Sequence, residues 1–163
     1  MRVHFIDTSV FTNILDIPNM NDERVEVMRE LKSLVDNKGK ETLILPYATI
    51  IETGNHIVHN GDGRQRRKSA EKFCEVIQKT LAGEAPWAYY GKQLTEDDLI
   101  LICKEFPDAA MREQGFGDLS IIRAYERYKD ETPAVGEIRI WSLDEHLKDM
   151  YHEKLGMAYI RNK

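Results

Sequence analysis

Apolar positions along the chain change their period several times, and each change marks an element. Residues 2–6 open the chain with Val3, Phe5 and Ile6 in a short β-prone run. From Asn21 the period turns helical. Val25, Met28, Leu31, Leu34 and Val35 share a face, Asp22 and Glu23 stand where a first turn favours acids, and Gly39 follows the last periodic residue. The run Leu43 to Leu45 predicts a second strand. Pro46 stops it, having no N–H to give a sheet, and suits the first turn of the following helix, which carries Glu52. Turn residues in HNGDG then lead into a helix through Phe73, Val76, Ile77 and Leu81 whose N-terminal part is basic.

The stretch EAPWAYYGKQL follows neither period and is expected to be a loop or a short irregular excursion. Thr95 with Asp98 has the capping-box spacing ahead of the largely apolar LILICKEF helix. After GFG, Leu119, Ile122, Ala124 and Tyr125 predict another helix, with Asp118 at its beginning. EIRIW alternates as a strand does, SLDEHLKDMY is expected as loop and helix, and MAYI as a last edge strand. Strands alternating with helices imply an α/β domain around a mostly parallel sheet, and no internal repeat or linker interrupts it.

Composition narrows the classes. A hydrophobic fraction of 42% and a charged fraction of 31% are those of an ordinary globular domain, and 163 residues suffice for one domain, 1–163. No apolar run approaches the roughly 18 residues of a membrane span, and MRVHFIDTS does not build a secretory leader, so a cytoplasmic protein without a membrane partner is expected. A net charge of -5 excludes a protein that coats nucleic acid through bulk electrostatics, but it leaves room for an acidic site flanked by local basic surface. Cys74 and Cys103 lack the paired spacing of a zinc site and are expected to be buried free thiols.

The chemistry begins in VHFIDTSVFT, where a buried strand ends on Asp7, with Thr8 and Ser9 directly after. An unpaired carboxylate there is costly without a compensating partner. Ligands of a parallel sheet gather outside the carboxyl ends of its strands. Asp7 ends the first strand, Glu52 lies on the helix after the second, Asp118 opens the helix after GFG, and Asp144 stands just beyond EIRIW. Carboxylates sharing a pocket either hold protons or hold cations, and an all-oxygen set suits Mg²⁺ or Mn²⁺. Each acid also has a plainer reading. Asp7 can cap a helix through Val10 to Leu15, Glu52 can sit solvated beside an apolar face, and Asp118 and Asp144 can be helix-start acids.

Outside the acids, Arg64, Arg67 and Lys68 fall on one side of a helix, as residues that track a phosphate backbone do. Trp87, Tyr89 and Tyr90 are either base-stacking platforms or core. Asn55, three residues after Glu52, is placed to orient that carboxylate, while His56 and His59 are given no part in the chemistry.

FIDTSVF, LPYATIIETGNHI, GFGDLSIIRAYE and IWSLDEHL resemble, in order and approximate spacing, the four acidic landmarks of the PIN-domain family, VapC-like toxins included. The resemblance implies a three-layer α/β/α sandwich with a central, mostly parallel sheet. It implies a Mg²⁺- or Mn²⁺-dependent endoribonuclease that hydrolyses RNA to 5′-phosphate and 3′-hydroxyl ends. Asp7, Glu52 and Asp118 match the core acids and Asp144 the more variable fourth; Ser9 and Ser142 match the small polar residues that support them. RNA is the implied substrate, and an antitoxin protein and a second copy of the chain are candidate partners. Residues from about 60 to 95, basic and then aromatic, form an insertion relative to a minimal member. Two readings from other classes stand beside this one: a PIN fold that binds protein or RNA without cutting, and a phosphatase- or receiver-like domain with an acidic pocket.

Overall fold

The structure is a computed structural model that describes residues 1–37, 39–148 and 150–155. In chain order its elements are β1 (Arg2–Ile6), α1 (Thr8–Ile14), α2 (Arg24–Asp36), β2 (Glu41–Pro46), α3 (Tyr47–Ile57) and α4 (Gly63–Leu81). These are followed by β3 (Ala88–Tyr90), α5 (Glu96–Met111), α6 (Phe116–Glu131), β4 (Glu137–Trp141), α7 (Glu145–Lys148) and β5 (His152–Lys154).

The five strands lie in the order β3-β2-β1-β4-β5. β1 is central and parallel to β2 (Arg2 opposite Glu41) and to β4 (Arg2 opposite Glu137), β3 extends the parallel set, and β5 closes the other edge antiparallel. A central strand covered on both faces reads as a continuous apolar run, which is why Val3 to Ile6 are all buried. The two-residue period sorts them. Val3 and Phe5 face one layer with Ile44, Ile138 and Ile140, packed under Ile102 of α5 and Ile121, Ile122 and Tyr125 of α6. Ile6 faces the other with Leu43, Leu45 and Trp141, under Val10 and Phe11 of α1, Val27 and Leu31 of α2 and Ile57 of α3. The result is the expected α/β/α sandwich.

A partly buried polar chain crosses the second face. Arg139 Nε donates to His4 Nδ1 at 2.7 Å, which leaves His4 Nε2 as the protonated nitrogen, donating to Glu41 Oε2 at 2.7 Å. Burial, foremost, pushes the imidazole pKa down, in keeping with that neutral tautomer. Arg139 also reaches Glu30 of α2 at 2.5 Å, so the chain ties three strands to a covering helix.

Several expectations change. EAPWAYYGKQL is not wholly a loop, because Ala88–Tyr90 pairs with β2 as a parallel edge strand. Three residues are too few to show a period. What holds them is local: Trp87 packs edge-on against Phe11 and donates from Nε1 to Thr80 Oγ1 at 2.9 Å, and Tyr90 packs against Phe5 and Tyr128. Residues 60–95 therefore supply a helix of one layer and a strand of the sheet, with Phe73 of α4 against Gly54 of α3. Cys74 and Cys103 are exposed, since they fall on the outward faces of α4 and α5. MAYI lies outside the described residues, and the described edge strand is His152–Lys154. Among the described residues, no helix is long and apolar enough to cross a membrane.

Phe5 is fully buried and meets Tyr90, Tyr125 and Tyr128 edge-on. Phe5→Ala is expected to cost about 3–5 kcal/mol in guanidinium unfolding, whereas Ile100→Ser, at a residue 54% exposed, stays within about 0.5 kcal/mol. Equal costs would contradict the packing described.

Candidate functional site

β1 and β4 continue their pairing one step past Ile6, where the Asp7 N–H donates to the Trp141 carbonyl at 3.0 Å. The register sets Ser142 beside Asp7 as both chains leave the sheet. Asp7 Oδ2 accepts from Ser9 Oγ at 2.7 Å, from Ser142 Oγ at 2.8 Å and from the Ser9 N–H at 3.3 Å. Each hydroxyl has one hydrogen and spends it on Asp7, so the 3.3 Å approach of the two serine oxygens adds no further bond. The same oxygens accept from the N–H groups of Leu143 and Asp144, both at 3.0 Å, which straps the loop after β4 to the start of α1. Asp7 is the N-cap of α1 as well, so capping and membership of the acid cluster coexist.

Glu52 arrives from the neighbouring helix. Thr49 Oγ1 donates to the Ile6 carbonyl at 2.7 Å and pins α3 to the end of β1. Glu52 Oε2 then accepts from Thr8 Oγ1 at 2.7 Å. The N-terminus of α6 presses against the same carboxylate: a Cβ on Gly117 would lie 2.0 Å from Glu52 Oε1 and 2.3 Å from its Cδ. A side chain at 117 would push the Glu52 carboxylate from this position, which makes that glycine a condition of the approach as it stands. Asp118, the next residue, accepts from the Gly115 N–H at 3.1 Å. One oxygen each from Asp7, Glu52 and Asp118 lies within 4.8 Å of the others.

Such crowding has an electrostatic signature. Burial, above all, pushes the Glu52 carboxyl above its usual range, against the Thr8 hydrogen bond and with smaller contributions from Asp118 and Asp7. Burial also raises Asp118, opposed by the Gly115 N–H and aided by the charges of Asp7 and Asp144. Asp7 is 3% exposed, and its second oxygen, Oδ1, is buried with no hydrogen-bond partner among the described residues. A carboxylate oxygen left bare beside two other acids is the environment a cation relieves. The all-oxygen donor set fits a hard divalent ion of the Mg²⁺ or Mn²⁺ kind.

The structure brings Asp7, Glu52 and Asp118 together, with Ser9 and Ser142 in contact with Asp7. Asp144 stands outside that cluster: it is exposed, its Oδ1 accepts the His146 N–H at 2.9 Å, and it acts on Asp118 only through its charge. Glu52 takes its hydrogen bond from Thr8 rather than from Asn55, which is exposed and lines an adjoining cavity. Arg64, Arg67 and Lys68 are exposed on α4, the helix packed against α3, and Arg67 pairs with Glu71 at 2.9 Å. Trp87 is 7% exposed and belongs to the core, which removes it as a stacking platform. Thr8 and Gly117 were missed as site residues. The signals were present in DTS and GFGD, a hydroxyl directly after one acid and a glycine directly before another.

The raised Glu52 carboxyl has a definite sign. The native state holds that proton more tightly than the unfolded chain, so the ionised group subtracts stability above its raised value and nothing once both states are protonated. In EDTA at about pH 8, Glu52→Gln is expected to raise Tm by about 1–2 °C, a small effect because solvent screens the half-buried carboxylate. The gap should close as pH falls below the ordinary value of 4.5. A lower Tm for the variant at high pH would contradict the electrostatic account.

Neither a scan against protein-family models nor a search of curated proteins returns a match to this sequence. The structure is similar to that of VapC20 from Mycobacterium tuberculosis, a sarcin–ricin loop-cleaving toxin, with a TM-score of 0.56 over 88% of this chain and 92% of that one. The two sequences are 14% identical, so what they share is the fold, and the fold of this chain is the PIN-like three-layer sandwich.

Proposed function

We propose that the chain is a divalent-cation-dependent endoribonuclease whose site is the cluster of Asp7, Glu52 and Asp118. The observation that carries the reading is Asp7 Oδ1, a buried carboxylate oxygen without a hydrogen-bond partner among the described residues, on an acid that has an oxygen within 4.8 Å of those of two further acids. The PIN-like fold supports it, as does the likeness to VapC20, a toxin that cleaves the sarcin–ricin loop.

In this reading the three carboxylates hold the ion and set where the scissile phosphate comes to rest. Ser9 and Ser142 fix the Asp7 carboxylate by occupying Oδ2, which turns Oδ1 to the task; Thr8 does the same for one oxygen of Glu52. When bound, Mg²⁺ or Mn²⁺ supplies charge neutralisation at the phosphate and a lowered pKa for water. Water adds to phosphorus, the P–O3′ bond breaks, and the products are a 5′-phosphate and a 3′-hydroxyl. With the ion held, Glu52 and Asp118 would stay ionised as its ligands, and the proton that the water gives up would go to the departing O3′. Asp144, at the rim, adds negative charge near Asp118 and is proposed as the fourth, outer acid. Arg64, Arg67 and Lys68 offer phosphate contacts outside the site. A toxin role rests on the likeness to VapC20, while an antitoxin partner, a paired second copy and a cytoplasmic location are further parts of the proposal.

The test is cleavage of structured and unstructured RNA in Mg²⁺, Mn²⁺ and EDTA. Cutting should need the ion, leave 5′-phosphate ends, and fall about 100-fold or more in Asp7→Asn and Asp118→Asn. Ser142→Ala should weaken Mn²⁺ binding by about 10–100-fold with the fold intact by circular dichroism. Cutting that survives in EDTA or in both acid variants would refute the assignment. Tight Mn²⁺ binding with no turnover would favour the non-cleaving binding module instead.

A further inference from the structure

A cavity of about 490 Å³ adjoins the acid cluster, with Glu52 and Gly117 in its wall. Its mouth carries two exposed aromatic rings, Tyr47 at 48% and Phe116 at 39%. Tyr90 and Arg123 line it, and each carries a polar atom, Tyr90 Oη and Arg123 Nε, that is buried without a hydrogen-bond partner among the described residues. Leaving such groups unpaired costs free energy that a ligand can recover.

The charges around the cavity say what kind of ligand. Lys92 pairs with Glu131, Arg127 with Asp98, and Arg123 with Glu105 at 2.6 Å, so its cations are already neutralised. Nothing there calls for an anion. A neutral, flat group with hydrogen-bonding atoms on its edge fits: Arg123 Nε can only donate, Tyr90 Oη can donate or accept, and the aromatic rings offer a stacking face. A phosphate attached to that group would be left to the acid cluster and its cation on the far side of Glu52.

We propose that this cavity takes one unpaired nucleobase of the RNA, from the nucleotide adjoining the scissile phosphate, and that Tyr90, Arg123 and Phe116 determine which base is accepted. The proposal deepens the nuclease reading and rests on it for the identity of the chain that carries the base. A base within a duplex is stacked on both faces and paired, so it cannot enter such a cavity, and the cut falls in a loop, bulge or single strand. Tyr90 and Arg123 are specificity residues here, since neither reaches the carboxylates.

Two measurements separate the cavity from the nuclease reading. In the first, nucleoside 5′- and 3′-monophosphates and ribose 5-phosphate are titrated calorimetrically into the full chain in Mg²⁺. At least one nucleotide should bind about tenfold or more tighter than ribose 5-phosphate, because stacking and edge contacts add to the phosphate. Tyr90→Phe keeps the ring packing and should lower that preference about 3–10-fold, and Phe116→Ala should lower it as well. In the second, cleavage of a randomised RNA pool is read by sequencing, with a base preference expected at one position beside the cut that Tyr90→Phe flattens.

Nucleotides that bind no tighter than ribose 5-phosphate, or equally well to both variants, overturn the proposal. Cutting without such binding overturns the cavity assignment and leaves the nuclease standing. Binding that both variants weaken, in a chain that cuts no RNA, overturns the nuclease reading and supports the cavity as a base site.

Discussion

The arrangement at this edge of the sheet depends on how Asp7 is held. Three donors converge on one oxygen of its carboxylate, two of them serine hydroxyls from opposite ends of the chain, and the backbone pairing of β1 with β4 brings them within reach. Because Oδ2 is fully engaged, the carboxylate cannot turn to relieve Oδ1. The helices then arrive in fixed relation to it: α3 is pinned to the last carbonyl of β1 by Thr49, and α6 meets Glu52 at a residue with no Cβ. Sheet register sets the position of Asp7, and the other two acids are placed around it.

This edge also gathers the molecule's unfavourable terms. The three buried side-chain polar atoms found without a partner among the described residues are Asp7 Oδ1, Tyr90 Oη and Arg123 Nε. The first belongs to the acid cluster and the other two line the cavity next to it. Two of the three clustered carboxyls are pushed toward their protonated forms, mostly by burial. Elsewhere buried polar groups find partners, as His4 does between Glu41 and Arg139. Natural domains tolerate such violations of local satisfaction mainly where function requires them.

Much of this was legible in the sequence, for identifiable reasons. Strands β1, β2 and β4 and helices α2 to α6 announce themselves through period, because each is long enough or apolar enough to repeat its pattern. Asp7, Glu52 and Asp118 could be placed at one edge because the carboxyl ends of parallel strands and the helices that follow them must meet there. β3 was not legible. It spans three residues and is held by the packing of Trp87 and Tyr90, which no local pattern encodes. The exposure of Cys74 and Cys103 was missed because a thiol on a helix carries no signal of the face it occupies until the partner helices are known. Thr8 and Gly117 were signalled only by their places beside Asp7 and Asp118, and the cavity could emerge only once α3 and α6 were seen in contact.

A crystal of the full chain soaked in Mn²⁺ and measured at the manganese absorption edge tests the central claim most directly. The account predicts an anomalous peak coordinated by Asp7, through its Oδ1, together with Glu52 and Asp118. A well-occupied manganese elsewhere on the surface, with the three carboxylates left without one, would contradict it.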